Sequence, residues 1–396
     1  MNQIIQREYT TKKVVDDDLL LELGVYCSAP WTSLQIKNDG TMSYCCVSRD
    51  PIGLTLNAKE LVEGRKRIRR GEILPSCKEA CYHTDYVSQR NSLNNRFPIK
   101  YDIGNIVDPN HIQYIDLRMG NICNFTCIMC GDRDSHLWGK IHKKENPYIS
   151  WQENRYDEII DFIFSCKNLK SISLAGGEPF YNKRKLFGLL DKLDRSIELK
   201  FITNASFCDD EIIDKLNEFE NGRLNCSIDG VGRWIENQRL RSNWNRLEEN
   251  MFMFSSKLNK GWIITLVPTF TVINTLGLPE YIDWYMNKLF PIRNVKFSYS
   301  ICKNPPRMTL YQLPLKQRIE IVNKIKSKNY QYQNVYLDEA GKQYTELNQI
   351  NELMKNICKD KEVKDTTSLK KHVDFIKNNT EHDVLKSIPE LGEIIG

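Results

Sequence analysis

The sequence has no long hydrophobic run. No stretch approaches the roughly 18 consecutive apolar residues of a membrane-spanning helix, and threonines and Pro268 interrupt the apolar run from Trp262 to Ile273. The first residues, MNQIIQREYTTKK, also lack the apolar core of a secretory signal peptide. We therefore expect a cytoplasmic protein with no membrane partner.

The sequence also lacks a strong charge of either sign and any internal repeat. Its 396 residues include 56 Lys and Arg against 51 Asp and Glu, and this net charge of +5 does not indicate a nucleic-acid partner. With 41% hydrophobic and 27% charged residues, the composition is that of an ordinary globular protein. We interpret the basic run from Arg65 to Arg70 as a solvated helix face, with a site for an acidic peptide or nucleic acid as the alternative.

Cysteine is abundant, with thirteen residues in the chain. In a reducing compartment, clustered cysteines more often bind metal or perform redox chemistry than form disulfides. Eight of them form two groups, Cys27, Cys45, Cys46, Cys77 and Cys81 in the first and Cys123, Cys127 and Cys130 in the second. The scattered remainder is predicted to consist of small core residues: Cys166, Cys208, Cys226, Cys302 and Cys358.

The pattern divides the chain into three regions. Residues 1–100 are cysteine-rich, with a predicted hairpin in SLQIKNDGTMSY, a predicted helix in AKELVEGRKRIRRGEI and a polar linker over 83–110 that runs into the next region. Residues 101–310 alternate strands with helices, and residues 311–396 are predicted to be mainly helical. The predicted strands are Ile112–Leu117, Ser171–Leu174, Leu199–Ile202, Leu224–Ile228, Ile263–Phe270 and Val295–Tyr299.

Alternating strands and helices predict an α/β fold with a parallel sheet covered by helices. Six such units favour a partial, TIM-like (β/α)6 barrel over a closed eight-stranded one, and an open doubly wound sheet is the alternative. In such barrels the loops that follow the strands form the active face.

The stretch CNFTCIMC, residues 123–130, follows a predicted strand and therefore lies on that face. The spacing also fits one face of a buried helix, but the preceding strand and the sequence MGN argue against a helix. Three thiolates without a fourth ligand suit either an open zinc site or an iron–sulfur cluster, and soft thiolates favour the cluster.

Polar residues follow the other strands at corresponding positions. In LAGGEPF, Gly176 and Gly177 allow the backbone to approach a ligand, and Glu178 offers a carboxylate to a cation. An ordinary turn at LAGGEPF and an internal hydrogen-bond network at the later strand ends are the alternatives. The polar residues at the next two strand ends are Thr203, Asn204, Asn225, Ser227 and Asp229. All of these side chains are expected to meet at one face of one barrel.

CNFTCIMC resembles the C-x3-C-x2-C signature of radical S-adenosylmethionine (SAM) enzymes, with Met129 at a position that is usually aromatic in that family. The resemblance implies a 4Fe-4S cluster on Cys123, Cys127 and Cys130, with SAM on the fourth iron. LAGGEPF resembles the GGEP motif of that family, which holds the SAM amino group. The resemblance further implies SAM contacts by the residues Gly176, Gly177, Glu178, Thr203, Asn204, Ser227, Asp229 and Arg239.

The N-terminal cysteines resemble those of the SPASM/twitch module of radical SAM proteins, here placed before the barrel as in twitch-domain-containing members. The resemblance implies one auxiliary 4Fe-4S cluster in this twitch-like module, and a structural zinc is the alternative. The implied ligands are Cys27, Cys45, Cys77 and Cys81, with Cys46 spare or able to replace Cys45.

The resemblance implies reductive cleavage of SAM to a 5′-deoxyadenosyl radical, which abstracts hydrogen from a peptide or a small polar substrate. The auxiliary cluster would take up or relay an electron, in an oxidation, a cross-link or another bond formation, and a flavodoxin or ferredoxin would supply electrons. Cys302 is a candidate hydrogen-atom donor, with a plain core cysteine as the alternative. The alternative functions are a zinc-stabilised, non-catalytic binding protein, or a small-molecule dehydrogenase rather than a peptide maturase.

Overall fold

The computed structural model describes residues 26–82, 94, 96–99, 104–151, 153–328, 330, 336–337, 343–344, 346–363 and 365–395. Residues 1–25 of the predicted first region, and most of the predicted linker up to residue 103, lie outside the described residues. No helix in the described part of the chain is both long enough and apolar enough to cross a membrane.

The centre of the molecule is a mostly parallel sheet. Its eight strands lie in the order β11-β9-β7-β6-β5-β3-β1-β2, and only β2 runs antiparallel to its neighbour. The strands of the described residues are β1 Ser33–Ile36, β2 Met42–Ser43, β3 Tyr114–Arg118, β4 Thr126–Cys127, β5 Ser171–Ala175, β6 Glu198–Thr203, β7 Gly222–Cys226, β8 Arg239–Leu240, β9 Trp262–Leu266, β10 Thr269–Phe270, β11 Lys296–Phe297, β12 Ser300–Ile301, β13 Tyr336–Leu337 and β14 Gln343–Tyr344.

Helices connect the parallel strands and pack their apolar sides on the sheet. The helix Asp210–Asn217, for example, starts where the Asp209 side chain accepts a hydrogen bond from the Ile212 N–H, and it buries Ile212, Ile213 and Leu216. The α-helices are Ala29–Thr32, Lys59–Arg69, Pro75–Cys77, His136–Ile141, Glu153–Ser165, Lys183–Leu190, Asp210–Asn217, Arg233–Gln238, Trp244–Lys257, Leu278–Trp284, Leu315–Lys326, Glu346–Ile357, Thr366–Asn379, Val384–Ser387 and Pro389–Ile395.

This architecture confirms the predicted α/β fold and is consistent with a partial TIM-like barrel. All six predicted strands pair side by side in chain order, and their carboxyl ends meet at one edge because they run parallel. Every residue of β5 is buried, as is typical of a parallel sheet covered on both faces. The described part of residues 311–396 is mainly helical, as predicted.

Two predicted strands have different limits in the structure. The predicted strand Ile263–Phe270 is two strands, because Pro268 lacks the N–H that would continue the ladder. Its second part, β10, pairs with β12 in a separate small sheet. The predicted strand Leu224–Ile228 ends at Cys226, so Ser227 and Asp229 lie on the loop after β7.

The predicted N-terminal hairpin is present and joins the main sheet. Strands β1 and β2 pair antiparallel around a turn in which Gly40 has a φ of 82°, a value that favours glycine. Strand β1 also pairs in parallel with β3 along its whole length. The hairpin therefore lies directly beside the first strand of the barrel, which the sequence alone did not predict.

The basic run is only partly a solvated face. Arg65 is fully buried in the helix Lys59–Arg69, and its guanidinium donates to the Pro30, Leu56 and Asn105 carbonyl oxygens and to Asn57 Oδ1. Lys66 and Arg70 are exposed, as predicted. The prediction of a solvated face is wrong for Arg65, which fastens this helix to the N-terminal region.

Candidate functional site

The cysteine loop follows β3 at the carboxyl edge of the sheet. Asn121, which is fully buried, fixes the loop: its Nδ2 donates to the Asp132 and Pro147 carbonyls over 2.9 and 3.0 Å, and its Oδ1 accepts from the Ile149 N–H. The Cys123 N–H donates to His136 Nδ1 over 3.3 Å. These bonds define the path of the chain through all three cysteines.

The second cysteine is paired with an arginine. Strand β4 pairs antiparallel with β8 in a register that places Cys127 opposite Arg239. Arg239 Nη1 lies 3.5 Å from Cys127 Sγ, and its Nε lies 2.7 Å from Asp229 Oδ2. Burial alone would lower the pKa of Arg239. Neighbouring negative charge, above all the Asp229 carboxylate, shifts the pKa above its usual value instead, so this arginine remains a cation. The site thus holds a fixed positive charge beside a candidate ligand sulfur.

Burial keeps the three thiols protonated in the absence of a bound cation. It raises the pKa of Cys123 to about 12, with the neighbouring Cys127 adding to the shift, and it raises the pKa values of Cys127 and Cys130 as well. The Phe125 N–H and Asn204 Nδ2 approach Cys123 Sγ to 3.5 and 3.9 Å. Such donors stabilise a thiolate once a metal or cluster has replaced the proton.

The turn after β5 packs directly against the cysteine loop. Gly177 has a φ of 52°, and a Cβ there would overlap the Ile122 carbonyl oxygen. The Glu178 N–H donates to that same oxygen over 2.8 Å. At Gly176, with a φ of 84°, a Cβ would lie 2.5 Å from Asn38 Oδ1. Both positions therefore require glycine because of neighbouring protein atoms, and the predicted approach of this backbone to a ligand stays a prediction.

Glu178 is buried at the centre of this edge. Its Oε1 accepts from Thr203 Oγ1 over 2.7 Å and from the Phe180 N–H, and its Oε2 accepts from the Asn204 N–H over 2.7 Å. Burial raises the pKa of Glu178 to about 7, against the lowering effect of these bonds. Since a carboxylate offers about four acceptor positions, one position remains for a further donor.

Asn204 joins three of the predicted site segments. Besides its backbone bond to Glu178, its Nδ2 donates to Asn124 Oδ1 over 2.9 Å within the cysteine loop. Ser206 Oγ in turn donates to Asn204 Oδ1. The next residue, Ala205, has a φ of 59°, a strained value that lets the chain turn sharply at this point.

Asp229 lies at the site but is held by protein groups. It is fully buried, and it accepts from the Thr269 N–H and from Gln238 Nε2, each over 2.8 Å, while it also pairs with Arg239. This is the internal network that stood as the alternative for the polar strand ends, and it makes Asp229 a residue that positions Arg239. Ser227 is half-buried, and its N–H donates to the Thr203 carbonyl.

The C-terminal helix Thr366–Asn379 covers the outer side of the cysteine loop, a contact that sequence patterns did not indicate. His372 Nε2 lies 2.9 Å from the Ile128 carbonyl, and Trp138 Nε1 donates to the Cys127 carbonyl over 2.8 Å. The Trp138 ring stacks on His372 and Phe375. Burial lowers the pKa of His372 to about 4, so the ring is neutral at pH 7. Isolated histidines and tryptophans carry no spacing signal that would have revealed this cap.

The N-terminal cysteines form a second group. Burial raises the pKa of Cys45, and the neighbouring Cys46, Cys27 and Cys77 add to the shift, which places these four thiols in one neighbourhood. The Tyr26 hydroxyl hydrogen-bonds with Cys77 and accepts from the Leu74 N–H. Cys81 lies one turn beyond Cys77 on the helical segment that runs to Tyr82.

The donor chemistry of the 123–130 loop fits an iron–sulfur cluster: three thiols on one short loop, N–H donors to two of them, and a cation beside one. Among the described residues, no three His, Cys, Asp or Glu side chains already stand at the spacing of metal ligands. Cys302 is buried, with its thiol 3.4 Å from the Asn304 carbonyl, and its role as a hydrogen-atom donor stays a prediction.

Comparison with known proteins gives one family match. Residues 117–289 match the family model described as the Radical SAM superfamily, and this segment runs from the end of β3 past the cysteine loop, GGEP and β9. The match supports the assignment of this part of the chain to that superfamily. No curated protein sequence matches the chain.

Two solved structures illustrate the level of structural similarity. Native anSMEcpe with bound AdoMet is 14% identical, with a TM-score of 0.39, over 55% of this chain and 60% of that one. The radical SAM methyltransferase TsrM from Kitasatospora setae, with cobalamin and a 4Fe-4S cluster bound, is 13% identical, with a TM-score of 0.33, over 47% of this chain and 36% of that one. This chain therefore spans less than two thirds of the length of either protein.

Proposed function

We propose that this chain is a radical SAM enzyme whose cysteines Cys123, Cys127 and Cys130 hold a 4Fe-4S cluster. One observation carries the proposal: Glu178 after β5 and Asn204 after β6 are both hydrogen-bonded to the loop that contains these cysteines. A chance cysteine spacing would not bring two other polar motifs onto the same loop. The match of residues 117–289 to the Radical SAM superfamily supports the same assignment.

In this proposal the protein orients SAM beside the cluster. Glu178 has one free acceptor position for the SAM amino group. Thr203 and Asn204 hold the Glu178 carboxylate in place. Arg239 remains cationic between Asp229 and Cys127, where it attracts the SAM carboxylate. When bound, the cluster would supply the electron that cleaves SAM, and the resulting radical would remove hydrogen from the substrate. The buried surroundings exclude water.

We further propose that Cys27, Cys45, Cys77 and Cys81 hold an auxiliary 4Fe-4S cluster in a twitch-like module. The electrostatic effect of Cys27 and Cys77 on Cys45 supports this, as does the position of Cys81 one helical turn beyond Cys77. The auxiliary cluster would take up or relay an electron in a net oxidation or bond formation. A cytoplasmic flavodoxin or ferredoxin as electron donor, and a peptide or small polar substrate, complete the proposal.

The test is anaerobic reconstitution of the full chain with iron and sulfide, followed by reduction with SAM present. We expect bound iron and sulfide and the release of 5′-deoxyadenosine. A Cys127→Ala variant should release none, whereas Cys166→Ala, which changes a buried cysteine outside both groups, should behave like the wild type. Zinc as the only bound metal, together with no 5′-deoxyadenosine, contradicts the proposal and favours a zinc-stabilised binding protein.

A further inference from the structure

A polar cavity of about 320 Å³ lies between the N-terminal hairpin, the end of β3 and the segment that follows the cysteine loop. The buried side chains of Lys37 and Asn38 form its floor, and the exposed side chains of Arg49 and Arg133 lie at its rim. Cys46, the spare thiol of the N-terminal cysteine group, also lines the cavity.

The cavity carries an excess of positive charge. Its lining contains four cations, Lys37, Arg49, Arg118 and Arg133, against the single carboxylate of Asp134. No carboxylate of the described residues forms an ion pair with Lys37, Arg49 or Arg133. Burial lowers the pKa of Lys37, and the charge of Arg133 lowers it further. The charges of Asp39 and Asp50 oppose this lowering at Lys37, and Asp116 and Asp134 act on Arg118. On the lining itself cations still outnumber carboxylates, which favours an anion as the ligand.

Three polar atoms on the lining have no hydrogen-bond partner although they are buried: Asn38 Oδ1, Ser48 Oγ and Arg118 Nε. The nearest carboxylate to Arg118 is Asp116, at 3.4 Å, which is longer than a normal charge-assisted hydrogen bond. These atoms belong to side chains that line the cavity, and unpartnered buried polar atoms are costly to the folded protein.

The cavity adjoins the GGEP turn. The Asn38 side chain contacts the backbone at Gly176, and its Nδ2 donates to the Arg133 carbonyl over 3.0 Å. Arg118 ends β3, immediately before the loop that leads to Cys123, and packs against the same glycine. A molecule in this cavity would therefore lie beside the place where SAM is expected to bind.

We infer that this cavity binds an acid group of the substrate, a carboxylate or a phosphate, through Lys37, Arg118 and Arg133. Guanidinium groups suit both anions because their planar N–H groups match two oxygen atoms at once. Asn38 and Ser48, which also line the cavity, provide polar groups for a hydroxyl or amino group next to the acid. The inference rests on the proposed radical SAM function for its choice of substrate as the ligand.

The volume narrows the substrate class. A cavity of about 320 Å³ accommodates a small polar metabolite or a single acidic residue, and because it opens to solvent, any longer molecule would extend past its rim. Of the two substrate types in the proposed function, the structure therefore favours a small acidic molecule, or a peptide recognised through one acidic side chain or its terminal carboxylate.

Calorimetric titration of the anaerobically reconstituted full chain at low ionic strength tests the inference. The probes are succinate, its neutral analogue succinamide and inorganic phosphate, with SAM titrated separately. We expect succinate or phosphate to bind and succinamide not to bind. The anion that binds more tightly identifies which acid group the cavity prefers.

Variants at the rim then locate the binding. Arg133→Gln should weaken anion binding by roughly tenfold, the loss of one charge-assisted contact, and Arg133→Lys should restore part of it. Arg184→Gln removes an exposed arginine from the helix Lys183–Leu190 and serves as the matched control. Equal effects of Arg133→Gln and Arg184→Gln, or equal binding of succinate and succinamide, would overturn the inference.

Three further outcomes separate this inference from the proposed function. If Arg133→Gln weakens SAM binding and leaves anion binding intact, the cavity serves SAM and the inference is wrong. If the wild type binds neither anion but still releases 5′-deoxyadenosine from SAM, the inference fails and the proposed function stands. If it binds anions through Arg133 and releases no 5′-deoxyadenosine, the anion site stands and the radical function fails.

Discussion

At the residue scale, a side chain at Gly177 would need the space that the cysteine loop occupies. The positive φ disfavours any other residue, and a Cβ would push against the Ile122 carbonyl. We expect Gly177→Ala to lower the free energy of unfolding by at least about 2 kcal/mol and to reduce cluster incorporation. Guanidinium denaturation and iron analysis measure the two effects.

Gly188→Ala is the matched control for that prediction. Gly188 lies in the helix Lys183–Leu190, and a Cβ there meets no other atom. Alanine in a helix interior should stabilise the protein by about 0.5–1 kcal/mol. Similar losses of stability in both variants would show that the turn tolerates a side chain and that its close approach to the loop has no consequence.

Glu178 gives the metal-free protein a distinctive pH dependence. Its pKa is raised from the usual 4.5 to about 7, so between these values the folded state holds a proton that the unfolded state releases. The free energy of unfolding should therefore fall as the pH rises from about 4.5 to about 7, by up to about 3 kcal/mol. Chemical denaturation of the wild type and Glu178→Gln across this range isolates the effect as the difference between the two.

The binding of SAM should depend on pH in the opposite direction to the stability of the metal-free protein. The N–H groups of the SAM amino group need an acceptor and therefore favour the ionised form of Glu178, so the affinity for SAM should rise with pH through about 7. The Glu178→Gln protein should bind SAM more weakly and show no such rise. An identical pH profile of the two proteins, for stability and for SAM binding, would mean that Glu178 does not titrate in this range.

Arg65 shows where residue-level prediction went wrong and how the error could have been avoided. A run of five cations in six residues suggested a solvated face, yet Leu61, Arg65 and Ile68 lie four and three positions apart on one side of the helix. That spacing placed Arg65 on the buried stripe, where four oxygen atoms replace water around its guanidinium.

The same contacts predict a large effect of substitution. Arg65→Gln should cost roughly 2–4 kcal/mol of stability, because it removes a cation and leaves several buried carbonyl oxygens without a donor. Arg69→Gln, an exposed change on the same helix, should cost little. Thermal denaturation distinguishes the two variants, and an equally small effect at both positions would contradict the structural role of Arg65.

At the element scale, the sequence predicted the strands well because their signal is local. Apolar runs bounded by helices identify buried parallel strands without knowledge of their partners, and all six appear in the predicted order. The pairing of β1 with β3 joins segments about eighty residues apart, and no local pattern encodes it. The motifs of the candidate site could be predicted from the sequence. The supporting hydrogen-bond network of Asp229, Gln238 and Thr271 could not.

The C-terminal helix Thr366–Asn379 should stabilise the cysteine loop. His372→Ala removes a hydrogen bond to Ile128 and a ring stacked on Trp138, so hydrogen exchange of amides in the 123–130 loop should accelerate by roughly tenfold. Lys371→Ala, on the exposed side of the same helix, is the control. Unchanged exchange in His372→Ala would show that the helix merely lies over the loop. The measurement uses the metal-free chain.

At the scale of the whole molecule, the shared sheet fixes the N-terminal cysteines relative to the barrel. Cys45 lies just after β2, and Cys27 lies shortly before the helix that leads into β1, so both are attached to strands of the main sheet. The basic cavity lies between this cysteine group and the GGEP turn. In our proposal, a substrate held there would lie between the candidate SAM site, beside the GGEP turn, and the candidate auxiliary cluster, beside Cys46.

The number of clusters tests this arrangement directly. We expect the reconstituted wild type to bind iron and sulfide for two 4Fe-4S clusters and Cys77→Ser to bind enough for one, because removal of a ligand opens the auxiliary site. Cys127→Ala should likewise lose one cluster, but only Cys127→Ala should abolish 5′-deoxyadenosine release, since the auxiliary cluster does not contact SAM. Cys46→Ser should keep both clusters, because Cys46 is exposed and lies beside Cys45 as a spare thiol. Iron for a single cluster in the wild type, unaffected by Cys77→Ser, would leave the radical SAM site standing and remove the auxiliary cluster from the proposal.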